Sequence, residues 1–261
     1  MKENDARNAP NQKERQIPGI RLPPELIQKL AKISTITTSM QESIPRLYID
    51  RPEIVQLLER IATGIKDLPL QLKQSWATAV ENGWYPNAET TAQIGHIVDS
   101  GKNVIDDFMI SHLHESWDSL KTSILSAHPD RSQILECAFK LHEEGHYIAS
   151  VPLFISQSEG IIADKFGISP FMEKKQREEK ISEITNGIES FDEILLSLLG
   201  ISTQLHAGSR ESSADKKNKA PNRNGIMHGS RKHLDYGTEI NSLKSFSLLA
   251  YASFITSPQV P

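Results

Sequence analysis

Asp130–Phe166 reads DRSQILECAFKLHEEGHYIASVPLFISQSEGIIADKF, and this stretch decides the class of fold. Asp130, after Pro129, is placed to cap a helix by accepting a backbone N–H of its first turn. That helix is expected to run to about Glu144, with Ile134, Leu135, Ala138, Phe139 and His142 on one face. Gly145 stops it, as glycine commonly does where a chain leaves a helix. A second helix begins near Tyr147, carries Val151, Pro152, Phe154, Ile155, Ile161 and Ile162, and ends at Gly167 and Pro170.

The same spacing continues on both sides. Toward the C-terminus a charged run, Glu173 to Glu183, leads into Ile184, Ile188, Phe191, Ile194, Leu195, Leu198 and Leu199 at helical intervals. Ala207 to Asn222 is polar and reads as a long exposed loop. Pro221 is expected to start a short helix, Gly229 to Gly237 to be a turn-rich connection, and Thr238 to cap a last helix holding Leu243, Phe246, Leu249 and Phe254. Toward the N-terminus, Val104, Phe108, Leu113, Trp117, Leu120 and Ile124 fit one or two helices between Ala88 and Ala127, after a break at Gly83-Trp84-Tyr85-Pro86. Pro52 opens a helix with Ile54, Leu57, Leu58, Ile61 and Ile65, and Pro23-Pro24 another with Leu26, Ile27, Leu30 and Ile33. No short alternating strands and no βαβ rhythm occur, so the expected class is all-α. The chain divides into a polar tail (1–22), an N-terminal helical region (23–129) and a helical bundle (130–257), with the boundary at Pro129-Asp130.

The 261 residues are 38% hydrophobic and 24% charged, an ordinary globular balance that excludes fibrous classes. A net charge of −4 does not make the whole chain a nucleic-acid binder, although a local basic site is compatible with it. The one cysteine, Cys137, lies in an apolar stretch and reads as a small buried hydrophobe in a reducing compartment. Met1 to Gln16 lacks the apolar run of a secretory signal. Val151–Ile155 and Ser247–Ile255 are too short to span a bilayer. A cytoplasmic protein without membrane contact is therefore expected.

One segment carries chemistry: Asn222-Arg223-Asn224-Gly225-Ile226-Met227-His228-Gly229. Five residues on a helix turn about 140° net, so Arg223 and His228 can border one pocket. Helix N-terminal N–H groups there would favour a phosphate. These parts suit RNA cleavage without a metal or cofactor. A histidine moves the proton of the attacking 2′-hydroxyl. An arginine holds the phosphate and offsets its growing charge. Asn224 would orient either partner. Around it, Arg210, Lys216, Lys217, Lys219, Arg223, Arg231 and Lys232 stand against Glu211 and Asp215, a basic stretch that would attract a polyanion. Lys219, Asn222 and Arg231 are the expected substrate contacts. Glu159, a carboxylate within an apolar helix, needs a partner and would orient Arg223 or His228.

This segment resembles the ribonuclease motif of the HEPN superfamily: an arginine, a polar residue, then a histidine after a short spacer, near the C-terminus. Arg223, Asn224 and His228 match those positions. The helix pair broken at Gly145, with Tyr147 and an apolar second helix ending in Gln157-Ser158-Glu159-Gly160, resembles the first two helices of that bundle, over about residues 131–257. The resemblance implies metal-independent endoribonuclease activity on RNA, often in toxin, phage-defence or RNA-processing settings. It also implies a homodimer with two motifs facing one cleft, and leaves room for an antitoxin or another protein partner. Some members lack activity and serve as dimerising or partner-binding modules.

A rival motif, His142-Glu143-Glu144-Gly145-His146, matches H-E-x-x-H, in which two histidines one helical turn apart bind zinc and the glutamate is general base. Gly145 between the histidines argues against it, as does the lack of a third ligand at a familiar spacing, Glu159 being the nearest. His112 and His114, two apart on a helix, point to opposite sides and read as surface histidines.

Overall fold

The computed structural model describes residues 71–87, 89–97, 100–185, 191–210 and 219–257. The tail over 1–22, the helices expected after Pro23-Pro24 and Pro52, Ile188, and the middle of the polar loop lie outside the described residues. Among the described residues the chain is all-helical and has no strand. Its helices are α1 (71–81), α2 (Thr91–Ile97), α3 (Lys102–Glu115), α4 (Trp117–Ala127), α5 (Ser132–Glu143), α6 (Tyr147–Phe166), α7 (Lys174–Thr185), α8 (Phe191–Leu198), α9 (Arg223–Met227) and α10 (Glu239–Thr256). No helix among them is long and apolar enough to cross a membrane.

The α5–α6 pair forms where the apolar spacing and Gly145 place it. Gly145 has φ +76°, a backbone conformation that a residue with a Cβ resists, and it reverses the chain in one step. The cap differs from expectation. Arg131, not Asp130, is the N-cap of α5, and no side chain caps it, because Asp130 is wound into a 3-10 turn over Pro129–Arg131. Ile134 is 44% exposed, so the buried face of α5 is Leu135, Ala138, Phe139 and His142. Cys137 is exposed, on the side turned away from that face, and is not the buried hydrophobe expected.

Pro152 sits inside α6, where its missing N–H leaves the carbonyl four residues earlier without a helical donor. That carbonyl, of Ile148, accepts the Tyr236 hydroxyl at 2.9 Å instead. The helix defect thus becomes an attachment point for the connection leading into α10.

The last helix is the centre of the molecule. Residues from Ser242 to Ala252 are buried on every side, not on one face. A helix buried all round normally reads as hydrophobic all round. Here serines keep it slim, and two of their hydroxyls are satisfied within the helix: Ser245 donates to the Asn241 carbonyl at 2.8 Å and Ser247 to that of Lys244 at 2.8 Å. Thr238 caps it as expected, accepting from the Asn241 N–H at 3.3 Å.

Around α10 the core is continuous across Pro129. Trp117 of α4 packs its ring 4.4 Å from Phe246 and 5.9 Å from Phe139. Tyr85 donates its N–H to Ser247 at 3.2 Å, and the Tyr251 hydroxyl donates to the Leu195 carbonyl. The boundary expected at Pro129-Asp130 therefore separates helices but not cores. The break at Gly83–Tyr85 is itself interior, with Trp84 fully buried and its indole N–H donating to Asp106 at 2.7 Å.

Candidate active site

The 222–233 segment is held by its own local chemistry. Asn222, buried to 2% exposure, accepts the Gly225 N–H at 2.6 Å on Oδ1. Its amide nitrogen donates to the carbonyls of Ala207 and Gly208, both at 3.3 Å. Asn222 is thus the N-cap of α9 and the tie that draws residues 207–208 against it; it is not the exposed substrate contact expected. Pro221 precedes that cap, and the helix starts at Arg223, two residues later than expected. Ala220 is buried as well, so the end of the polar loop turns inward. With only five residues and a capped N–H, α9 offers a phosphate little of the helix-end potential read from the sequence.

Gly225 meets His233. A Cβ on Gly225 would lie 2.2 Å from the His233 ring. His233 is 3% exposed and its Nε2 bonds the Ser209 carbonyl at 3.2 Å.

Arg223 turns toward α6. Its Nη2 donates to the Glu159 carboxylate at 2.9 Å and its Nη1 to Asn224 Oδ1 at 3.1 Å. Asn224 in turn donates to the Ala207 carbonyl at 3.0 Å. The guanidinium lies 5.2 Å over the Phe171 ring. Glu159 also accepts the Ser169 hydroxyl at 2.6 Å. Arg223 and Glu159 side chains are each 24% exposed, so the pair adds little stability, about 1 kcal/mol at most, but fixes one geometry. Two of five N–H donors of Arg223 are engaged this way and Nε is buried without a partner, which leaves others at the exposed edge.

His228 is the C-cap of α9 and exposed, and its ring makes no hydrogen bond among the described residues. Lys219 and Arg231 are exposed too, and neither forms a hydrogen bond or ion pair with Arg223 or Glu159 among the described residues. The segment therefore brings together Arg223, Asn224 and Glu159, and sets His228 apart at the opposite end of the same short helix.

Three residues around the Arg223–Glu159 pair carried no mark in the sequence: Phe171 lies under Arg223, Ser169 bonds Glu159 and His206 packs on Phe171. Phe171 and Ser169 come from the turn after α6, and His206 packs 5.4 Å from the Phe171 ring. His206 accepts the Thr203 N–H on Nδ1 at 3.0 Å and bonds the Pro170 carbonyl through Nε2 at 3.1 Å. Burial, then the nearby Arg177, pushes it down to about 4, so it is a neutral structural ring beside the arginine. Arg177 itself is 1% exposed and ties α7 to the carbonyls of Pro170, Met172 and Gly200 at 2.9–3.2 Å.

The rival zinc motif comes apart. His142 ends α5 inside the core, its ring 4.4 Å from Trp117 and its Nδ1 2.8 Å from the Ser242 hydroxyl. Burial pushes it down to about 4. Glu143 faces outward and accepts from Trp117 at 2.9 Å and Lys121 at 2.7 Å. His146, beyond Gly145, is exposed and lies 3.9 Å from Glu144. Among the described residues no three His, Cys, Asp or Glu side chains are grouped to hold a metal. His112 also departs from expectation: it is half-buried, stacked 6.1 Å from Phe108, and burial lowers its pKa, while His114 is exposed and pairs with Glu239 at 3.2 Å.

The chain matches no protein-family model, no curated protein and no solved structure.

Proposed function

We propose that this protein is a metal-independent endoribonuclease of HEPN type that acts as a homodimer, with Arg223 as phosphate anchor and His228 as proton carrier. The observation behind it is the asymmetry of α9. Its arginine is locked by Glu159, Asn224 and Phe171, whereas its histidine, five residues on, is exposed and unspent. Cleavage by the neighbouring 2′-hydroxyl requires a fixed cation and a free imidazole, and with the two at opposite ends of α9 they converge on one phosphate only across a pair of chains. The hydroxyl loses its proton to a histidine as its oxygen bonds phosphorus, and the 5′-oxygen leaves with a proton from a second donor. The products are a 2′,3′-cyclic phosphate and a 5′-hydroxyl. One chain holds one such histidine on α9, so the second comes from a facing copy.

Glu159 and Asn224 act as positioning residues through Arg223. Lys219 and Arg231 supply exposed positive charge for the RNA backbone.

Mixed RNA incubated in chelator tests this. The parent chain cleaves, and Arg223→Ala and His228→Ala each abolish cleavage. RNA left intact at high protein concentration overturns the nuclease reading. It would favour a non-catalytic module in which the Arg223–Glu159 pair only fastens α9 to α6, a reading that the engaged guanidinium fits.

A further inference from the structure

The turn between α6 and α7 is fastened from the interior. Ile168 and Pro170 are buried, and the Met172 N–H closes the turn by donating to the Ser169 carbonyl at 3.1 Å. The Pro170 carbonyl takes the buried Arg177 through Nη1 at 3.0 Å and His206 through Nε2 at 3.1 Å. On this backbone stand Ser169 and Phe171, both half-buried.

Ser169 spends its hydroxyl twice. It donates to Glu159 at 2.6 Å and accepts the Phe171 N–H at 3.2 Å. Each bond fixes one of the surfaces on which Arg223 rests. Glu159 takes the Ser169 proton on Oε1 and Arg223 Nη2 on Oε2, so the hydroxyl sets the direction in which the carboxylate faces. The Glu159 side chain is 24% exposed and has room to turn, and the torsion of a carboxylate is broad when nothing holds it. The bond to Phe171 holds the backbone that carries the ring, and the guanidinium lies over that ring. Asn224 Oδ1, the other acceptor of Arg223, belongs to the same short helix and does not tie the arginine to α6.

We propose that Ser169 is a positioning residue that fixes the Arg223 guanidinium through Glu159 and Phe171. The inference rests on the nuclease reading of Arg223 and names the turn that gives this anchor its aim. A cation that offsets growing charge works only where it is aimed, and a displacement of about 1 Å can cost about 10²-fold in rate.

Ser169→Ala and Ser169→Thr in the full chain test it. Removing one half-buried hydroxyl leaves the core untouched, and a urea midpoint near the parent's checks that the variant is folded. With RNA as substrate, Ser169→Ala is expected to lower kcat by about ten- to a hundredfold. KM should stay within about twofold, because exposed Lys219 and Arg231 still hold the RNA backbone. Ser169→Thr keeps the hydroxyl and is expected to return kcat to near the parent value.

A second readout needs no cleavage. In ¹⁵N-labelled protein the two Nη groups of Arg223 have different partners and give separate signals, which Arg223→Ala identifies by their loss. In Ser169→Ala these signals are expected to merge as the guanidinium turns more freely, and in Ser169→Thr to stay apart. Unchanged Arg223 signals in Ser169→Ala overturn the proposal, as does a parent-like kcat or a loss that Ser169→Thr does not restore. If the parent chain leaves RNA intact, the nuclease reading falls and the guanidinium signals alone decide whether Ser169 positions Arg223.

Discussion

His142 ends α5 with its ring against Trp117 and its Nδ1 on Ser242, while His228 ends α9 in solvent with no hydrogen bond. Both histidines lie five residues after a residue of interest, Cys137 in one case and Arg223 in the other. Both belong to strings that read as catalytic. The fold treats them oppositely, because α5 is half of a packed pair and α9 is a single turn on the surface. Buried and pushed down to about 4, His142 is a neutral packing element. Exposed, the His228 ring is open to solvent. A motif's meaning therefore lies in which side of its helix the core takes.

Substitution of the two histidines gives the widest separation. His228→Ala should lower RNA cleavage by about 10²–10⁴, the usual range for a general acid or base, and leave stability within about 0.5 kcal/mol. His142→Ala should do the reverse, costing about 2–4 kcal/mol in urea unfolding by opening a hole beside Trp117 and leaving Ser242 with one partner fewer. Its folded fraction should cleave at the parent rate. Equal loss of stability in both variants would erase the distinction between the regions.

Acid sharpens the same contrast. His142 and His206 are held down at about 4 by burial, against 6.5 when exposed. Between those values the unfolded chain binds protons that the folded chain refuses. Stability is thus full above about pH 6.5 and falls as pH drops toward 4, by up to about 3 kcal/mol for each histidine. Burial lowers His112 and His128 in the same direction. Urea midpoints at pH 7, 6, 5 and 4 read this out, and the fall between 6 and 4 should shrink in His142→Ala. A flat profile would mean that neither ring is buried as described.

Much of this contrast was legible in the sequence. Gly145 and the apolar residues around it marked the α5–α6 pair, and a lone carboxylate at Glu159 called for a cation that Arg223 supplies. What stayed hidden depends on contacts remote in sequence. Phe171 meets Arg223, and His206 meets Phe171, only through the turn after α6, and no local pattern announces that. Asn222 looked like an exposed polar residue because capping is a property of backbone geometry. The serines of α10 carried no mark in the sequence, yet Ser245 and Ser247 help the central helix to be enclosed by satisfying their hydroxyls along its own backbone.

A smaller effect is expected where the two helix ends touch other elements. Gly225→Ala would push a methyl group into the His233 ring, which has no exposed space to retreat into. The cost should be about 1–3 kcal/mol by thermal or urea unfolding. A neutral substitution would show that the 222–233 segment gives way more easily than the α5 core.

The smallest effect tests the helix rotation on which the whole comparison turns. Five residues of α-helix rotate about 140° net, so a helix that buries His142 must carry Cys137 well away from the core. Cys137 is exposed accordingly. Cys137→Ser should then change stability by no more than about 0.5 kcal/mol, and the native thiol should react with Ellman's reagent without denaturant. The same rotation in α9 turns Arg223 toward Glu159 and His228 toward solvent, so the two side chains of one motif need not face one another within a single chain. A native thiol that reacts only after unfolding, with a costly serine replacement, would mean that α5 is rotated with Cys137 inward. His142 would then move toward the surface, and the contrast with His228 would vanish at its root.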